Sequence, residues 1–184
     1  PFASEAAATP AIPEVDRLVF EAKELIQGRR FDQARPMLET ALARSPWHRG
    51  ALAAMGDLEH RRARHREGLA HVTRALRLDT YDAEMNFLAG NLYRALGQQA
   101  DARDAFGWAA RSTAYRSAAN VQLADLALVR GDWPEAERYA RIALDFNRHN
   151  LSALDVLAIV GRKTNRQATA REAAAALDAL DPLH

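Results

Sequence analysis

Small residues return every 34 positions along this chain, in two parallel series. Ala22, Gly56, Gly90, Ala124 and Ala158 form the first. Ala34, Gly68, Ala102, Ala136 and Ala170 form the second. A third series, Ser45, Asp79, Thr113, Asn147 and Asp181, keeps the same interval and holds only short polar residues. No other feature constrains the fold as tightly. A fixed period of this length means one supersecondary unit per repeat, each unable to bury its apolar face except against its neighbours. From Val15 onward, five windows follow without an insertion: 15–48, 49–82, 83–116, 117–150 and 151–184. They are expected to hold the ordered part of the chain. Residues 1–13, rich in Ala and Pro and without apolar periodicity, are expected to be a linker or disordered leader.

Each window reads as two helices. In the fourth, Val121, Ala124 and Leu128 recur at helical spacing over Ala118–Val129. Gly131 ends that helix and Asp132 offers an N-cap for the next, with Pro134 tolerated in its first turn. The expected fold class is therefore all-α, with about ten helices. The small columns have a physical cause, because antiparallel helices approach closely only where facing side chains are small. The short polar column falls between repeats, where such side chains bond nearby backbone groups. Pro36 lies inside the second helix of the first window, so that helix is expected to start late or kink. Trp47, Trp108 and Trp133 are expected to pack at helix junctions.

These residues resemble the tetratricopeptide repeats. Ala89-Gly90, Tyr93, Gly97, Ala102, Phe106 and Ala109 follow that family's pattern closely. Gly131, Ala136, Ala143 and Leu144 match in the fourth window, as do Ala34, Leu38, Ala41 and Pro46 in the first and Pro182 in the fifth. There are departures. The family's Trp position holds Leu18, Leu52, Asn86, Asn120 and Leu154, and its Tyr position holds Glu59 in the second window and Gly161 in the fifth. With Asn165 and the run Ala173–Ala176, the fifth window looks degenerate and is expected to be the least stable. The resemblance implies a right-handed superhelical solenoid of five helix–turn–helix repeats.

It also implies a concave groove lined by first helices, holding a peptide or protein segment. The matching positions include Val19, Lys23, Asp57, His60, Arg61, Phe87, Asn91, Arg94, Val121, Asp125 and Leu128. The period stacks Lys23, Asp57, Asn91 and Asp125 into one stripe suited to the backbone of an extended peptide, with Phe87 and Val121 as apolar anchors. Chaperone-binding repeats grip a terminal carboxylate with Lys, Asn and Arg. Here the other clamp positions hold Val19, Ala54, Glu84 and Leu88, so no such clamp is expected.

Composition narrows the function classes. A net charge of +1 gives no bulk electrostatic case for nucleic acid or an anionic membrane. With no Cys, thiolate metal sites and disulfides are excluded. No apolar run approaches the ~18 residues that span a bilayer, and no signal-type apolar stretch is visible; a cytoplasmic location is expected. The run Glu59–Gly68 concentrates Arg and His at a turn. It reads as a solvated turn, with docking of phosphate or an acidic partner as the alternative. His60, His65 and His71 do not share one helical face, so no metal site is expected. No phosphate-binding loop or nucleophile elbow is present. The chain is thus expected to be a non-catalytic binding module without cofactors. The alternatives are a non-catalytic array within a larger multidomain protein, an enzyme among the options, or a scaffold that self-associates through an uncapped solenoid end.

Overall fold

A computed structural model describes residues 13–180. Ten helices follow one another, all α: α1 (Glu14–Gln27), α2 (Phe31–Arg44), α3 (Arg49–Arg61), α4 (His65–Leu76), α5 (Ala83–Ala95), α6 (Gln99–Ala109), α7 (Arg116–Arg130), α8 (Trp133–Phe146), α9 (Leu151–Lys163) and α10 (Gln167–Leu180). Each odd helix packs antiparallel on the even helix that follows, and the pairs stack in chain order into a solenoid. Pro182 and Asp181 lie outside the described residues, as does nearly all of the expected leader.

The small columns are where paired helices touch. A side chain on Gly56 would begin 2.6 Å from Val72 Cγ2, and one on Gly68 would begin 3.0 Å from the Gly56 carbonyl. The two series therefore face each other across the α3–α4 crossing. Larger residues fill the space to either side: Leu38, Leu52, Leu58, Met85, Leu92 and Phe106 are fully buried. Burying a side chain such as Phe106 contributes about 2 kcal/mol.

Between repeats, two of the short polar residues hold the backbone as expected. Asp79 Oδ1 accepts from the Tyr81 amide at 2.9 Å, and Asn147 Oδ1 from the His149 amide at 3.2 Å. Three of the five first helices, α3, α5 and α9, are capped by the side chain just before them. His48, Asp82 and Asn150 each accept the backbone N–H three residues on, at 3.1 Å. His48 Nδ1 is the acceptor there, which places its proton on Nε2, 2.9 Å from Asp16 Oδ1.

Inside each repeat the turn has its own column. Arg29, Ala63, Gly97, Gly131 and Asn165 all adopt positive φ, between 56° and 76°. Glycine occupies only two of the five positions, so the left-handed conformation is imposed by the packing of the two helices rather than by the residue. Gly131 ends α7 there, and the Asp132 carboxylate caps the Glu135 amide at 3.1 Å.

The structure refines three expectations. The helix carrying Pro36 does not start late: α2 is helical from Phe31 to Arg44 with Pro36 inside it. Pro36 lacks the N–H that the Asp32 carbonyl would have accepted, and the apolar face of Ala34, Leu38 and Ala41 keeps the helix in place. Among the tryptophans, Trp133 packs on the core, but Trp47 is 48% and Trp108 38% exposed. Gly161 is not a loss of packing. A Cβ there would lie 2.6 Å from the Ala170 amide nitrogen and 2.9 Å from its Cα, so α9 and α10 meet backbone to backbone. The thin part of the fifth repeat is the outer side of α10, where Ala168, Ala174, Ala175 and Ala179 are exposed.

The two other departures carry polar side chains into the core. Asn86 donates to the carbonyls of Thr80 and Asp82 at 2.8 and 2.9 Å, and Asn120 to that of Arg116 at 2.8 Å. Glu59, only 1% exposed, has one carboxylate oxygen hydrogen-bonded to Arg64 and the other 3.1 Å from Arg35 Nη1.

Candidate functional site

The first helices supply a concave cavity of about 330 Å³, lined by side chains of the first three repeats. Lys23 comes from α1, Ala53, Ala54, Asp57 and His60 from α3, Glu84, Phe87, Leu88 and Asn91 from α5, and Tyr115 from the turn before α7. The floor is apolar because Ala53 and Ala54 face Leu88 and the rings of Phe87 and Tyr115, whose centroids are 5.4 Å apart. Phe87 also packs edge-on against the buried Phe106 at 5.6 Å, so it belongs to the groove and to the core at once.

Charge is distributed unevenly. Asp57 is bound by Arg61 at 2.9 Å, one helical turn on. Glu84 is bound by Arg49 at 2.8 Å, and Arg49 also pairs with Asp82. Burial raises Asp82, but the hydrogen bonds from Arg49 and the Met85 amide outweigh it and hold the carboxyl below its usual range. Asp125 sits 3.9 Å from Arg94 across the α5–α7 junction, and burial lifts its carboxyl above the usual range despite that cation. Lys23 makes no ion pair among the described residues, and the Asn91 amide makes no side-chain hydrogen bond. The groove therefore offers a ligand one uncommitted cation and one uncommitted amide above an apolar floor.

Of the residues singled out from sequence, Lys23, Asp57, His60, Phe87 and Asn91 line this cavity together. Arg61 and Arg94 lie beside it, each holding a carboxylate. Val19 and Val121 do not line it: at 6% and 5% exposure both are core residues, and Val19 Cγ1 packs toward Gly50 of α3. Leu128 is half-buried against the same core as Val121. Asp125 is present in the stripe but engaged by Arg94. Tyr115 was not among the sequence candidates, because it precedes its helix. It stands 34 residues beyond Tyr81 and 68 beyond Trp47, an aromatic column that would have marked it.

Three of the four arginines in the basic run at the second turn are paired with carboxylates. Arg61 pairs with Asp57, Arg62 with Asp32 and Arg64 with Glu59. His60 and His65 do meet, with Nδ1 atoms 3.2 Å apart, although spacing on one helix would separate them. They sit on different helices, and the turn at 62–64 folds one against the other. Burial, then the nearby His65, pushes His60 below the ordinary histidine value. No cluster of three metal-ligating side chains exists among the described residues. No described helix is long and apolar enough to cross a membrane.

Five helix pairs in register, close-packed at two small columns and enclosing a concave groove, define a tetratricopeptide-repeat solenoid. Solved structures of that fold superpose on the chain. One described as a functional characterisation of Pseudomonas aeruginosa pilF aligns with TM-score 0.85 at 20% identity, covering 91% of this chain and 76% of that one. PilW, described as a widely conserved type IV pilus biogenesis factor, aligns with TM-score 0.84 at 19% identity, covering 95% of this chain and 80% of its own. YrrB, described as a tetratricopeptide-repeat protein with an unusual peptide-binding site, aligns with TM-score 0.71 at 16% identity, covering 91% and 86%. At these identities the likeness is one of fold. Comparison with protein-family models and with curated proteins gives no match.

Proposed function

We infer that the chain is a non-catalytic interaction module whose concave groove holds an extended peptide or protein segment. The observation that carries this reading is the pairing pattern in the groove. Every carboxylate lining it is held by an arginine, while Lys23 and the Asn91 amide are left open beside the Phe87–Tyr115 floor. An extended segment needs those three things: a backbone partner, an apolar seat and a charge to fix its register. The described likeness of YrrB, a peptide binder, supports the same class of ligand. A terminal carboxylate clamp fits poorly, because among the described residues Lys23 is the one free cation lining the cavity and Glu84 shares it. A cytoplasmic location goes with this reading and is checked by cell fractionation.

The test selects peptides from a random display library on the wild-type protein and measures their affinity for Lys23→Glu and Asn91→Ala. Both residues are outside the core, so melting temperature should not move. The expected result is a loss of tenfold or more for each variant, about 1.4 kcal/mol. Unchanged affinity in both would sink the groove assignment. Phe87→Ala is a poor probe, because removing its contact with Phe106 lowers stability as well.

A further inference from the structure

A second surface, sharing no residue with the groove cavity, is built around Trp108. This residue lies near the end of α6 and is 38% exposed, while Tyr81, from the turn before α5, is 67% exposed. Their ring centroids are 4.8 Å apart and tilted by 54°, so the two rings pack on each other and present one exposed aromatic surface. The Arg111 guanidinium lies 4.9 Å over the Trp108 ring. Tyr81, Trp108, Arg111 and Ser112 line a cavity of about 410 Å³. Trp108 and Arg111 also border a second cavity of about 450 Å³, walled by Leu123 and Tyr139. Two clefts thus meet at one tryptophan–arginine pair.

The charges around this pair are not balanced. Asp104 is engaged by Arg103 at 3.7 Å, and Glu135 by Arg130 at 2.5 Å and Arg138 at 3.4 Å. Asp79 is spent on the Tyr81 amide. Arg111 has no carboxylate partner among the described residues, so its outward donors face solvent. The same holds for Arg116 nearby, which stacks on the exposed Phe146 at 4.6 Å and bonds only backbone carbonyls.

We propose that the Tyr81–Trp108–Arg111 surface is a second docking site, and that its occupant is an acidic, proline-containing segment of a partner protein. A proline ring stacks on exposed aromatic faces, and its segment is already extended, so little conformational entropy is lost on docking. A carboxylate beside the proline meets the unpaired Arg111 in a charge-assisted hydrogen bond. Single-stranded nucleic acid also uses arginine and aromatic rings. It is disfavoured here because the chain carries a net charge of only +1, which supplies no basic track for a phosphate backbone.

The test uses an array of 12-residue peptides that pair proline with glutamate at varied spacing, matched by lysine versions, with oligothymidine as a third probe. Wild type should bind the glutamate series over the lysine series. Trp108→Ala should weaken that binding tenfold or more, and Arg111→Glu should reverse the preference toward lysine. Asn91→Ala should leave it unchanged, which separates this site from the groove. Circular dichroism establishes that both exposed-site variants remain folded. Equal binding of the two peptide series, no binding of either, or binding that survives both substitutions overturns the proposal. So does preference for oligothymidine, or a dimer that Trp108→Ala dissolves, each of which assigns the surface to another occupant.

Discussion

The second and fifth repeats lack the same residue and close the gap in opposite ways. Where the repeat pattern places a tyrosine, one has Glu59 and the other Gly161. The second repeat fills the space with a buried carboxylate held between Arg35 and Arg64. The fifth brings α10 onto α9 until the backbone of Ala170 occupies the place of the side chain. The difference teaches that the repeat specifies a volume, not a residue. That volume can be filled by charge and its counter-ions or removed by approach.

The largest effect should come from refilling the closed gap. Gly161→Leu puts a side chain into backbone atoms that no rotamer change can clear, and should cost about 3 kcal/mol or more. Glu59→Gln keeps the shape and removes the charge that two arginines face, at a cost of about 1–2 kcal/mol. Chemical denaturation of the two variants measures both. A smaller loss for Gly161→Leu than for Glu59→Gln would break the comparison.

Acid should separate the two repeats next. Burial pushes His60 and His71, both in the second repeat, below their ordinary value of 6.5, helped by His65 for the first and Arg74 for the second. The unfolded chain therefore binds these protons more readily. The stability they contribute is whole above about pH 6.5 and is lost as pH falls through the lower folded values. Asp57 near His60, and Glu59 near His71, narrow this effect without reversing it. No histidine lies between Leu151 and Leu180. The fifth repeat is tied instead through Arg166 to Glu137. Burial raises that carboxyl, but hydrogen bonds from Arg141 and Arg166 hold it below its ordinary 4.5. Its contribution persists until pH falls below that value. Hydrogen exchange at pH 7 and 5.5 should show the amides of residues 57–72 losing protection, with those of 153–173 unchanged. Equal loss in both would refute the assignment.

The smallest effects belong to the turns. Ala63 holds φ 59° with no side-chain reason to do so, and Ala63→Gly should stabilise by about 0.5–1 kcal/mol. Asn165 tolerates the same conformation better, so Asn165→Gly should gain only a few tenths of a kcal/mol. Paired thermal melts resolve the order.

Much of the fold was legible because close packing and turns act through one residue type at one interval. The small columns, the short polar column and the Gly131–Asp132 helix boundary all express local rules. What escaped was contact across the interval. Nothing in the sequence says that Glu59 would find Arg35 from the previous repeat, or that Val19 and Val121 turn inward while Lys23 and Asn91 turn to the groove. A helical stripe gives the face to within about one residue in three or four, and the side chain's final direction depends on the neighbouring repeat. The His60–His65 contact was hidden for a related reason, since spacing arguments hold within one helix and this pair spans a turn.

The left-handed turn column also bears on how such a chain changes length. Arg29, Ala63, Gly97, Gly131 and Asn165 are interchangeable in backbone shape despite their different chemistry. A splice that joins any one of them to the segment following another removes or adds a whole number of periods and leaves the hand of the joint intact. Splices offset by one residue place a helical position in the turn and break it. The molecule is thus divisible at five equivalent seams, and its number of helix pairs can drift over generations without any new turn having to be invented.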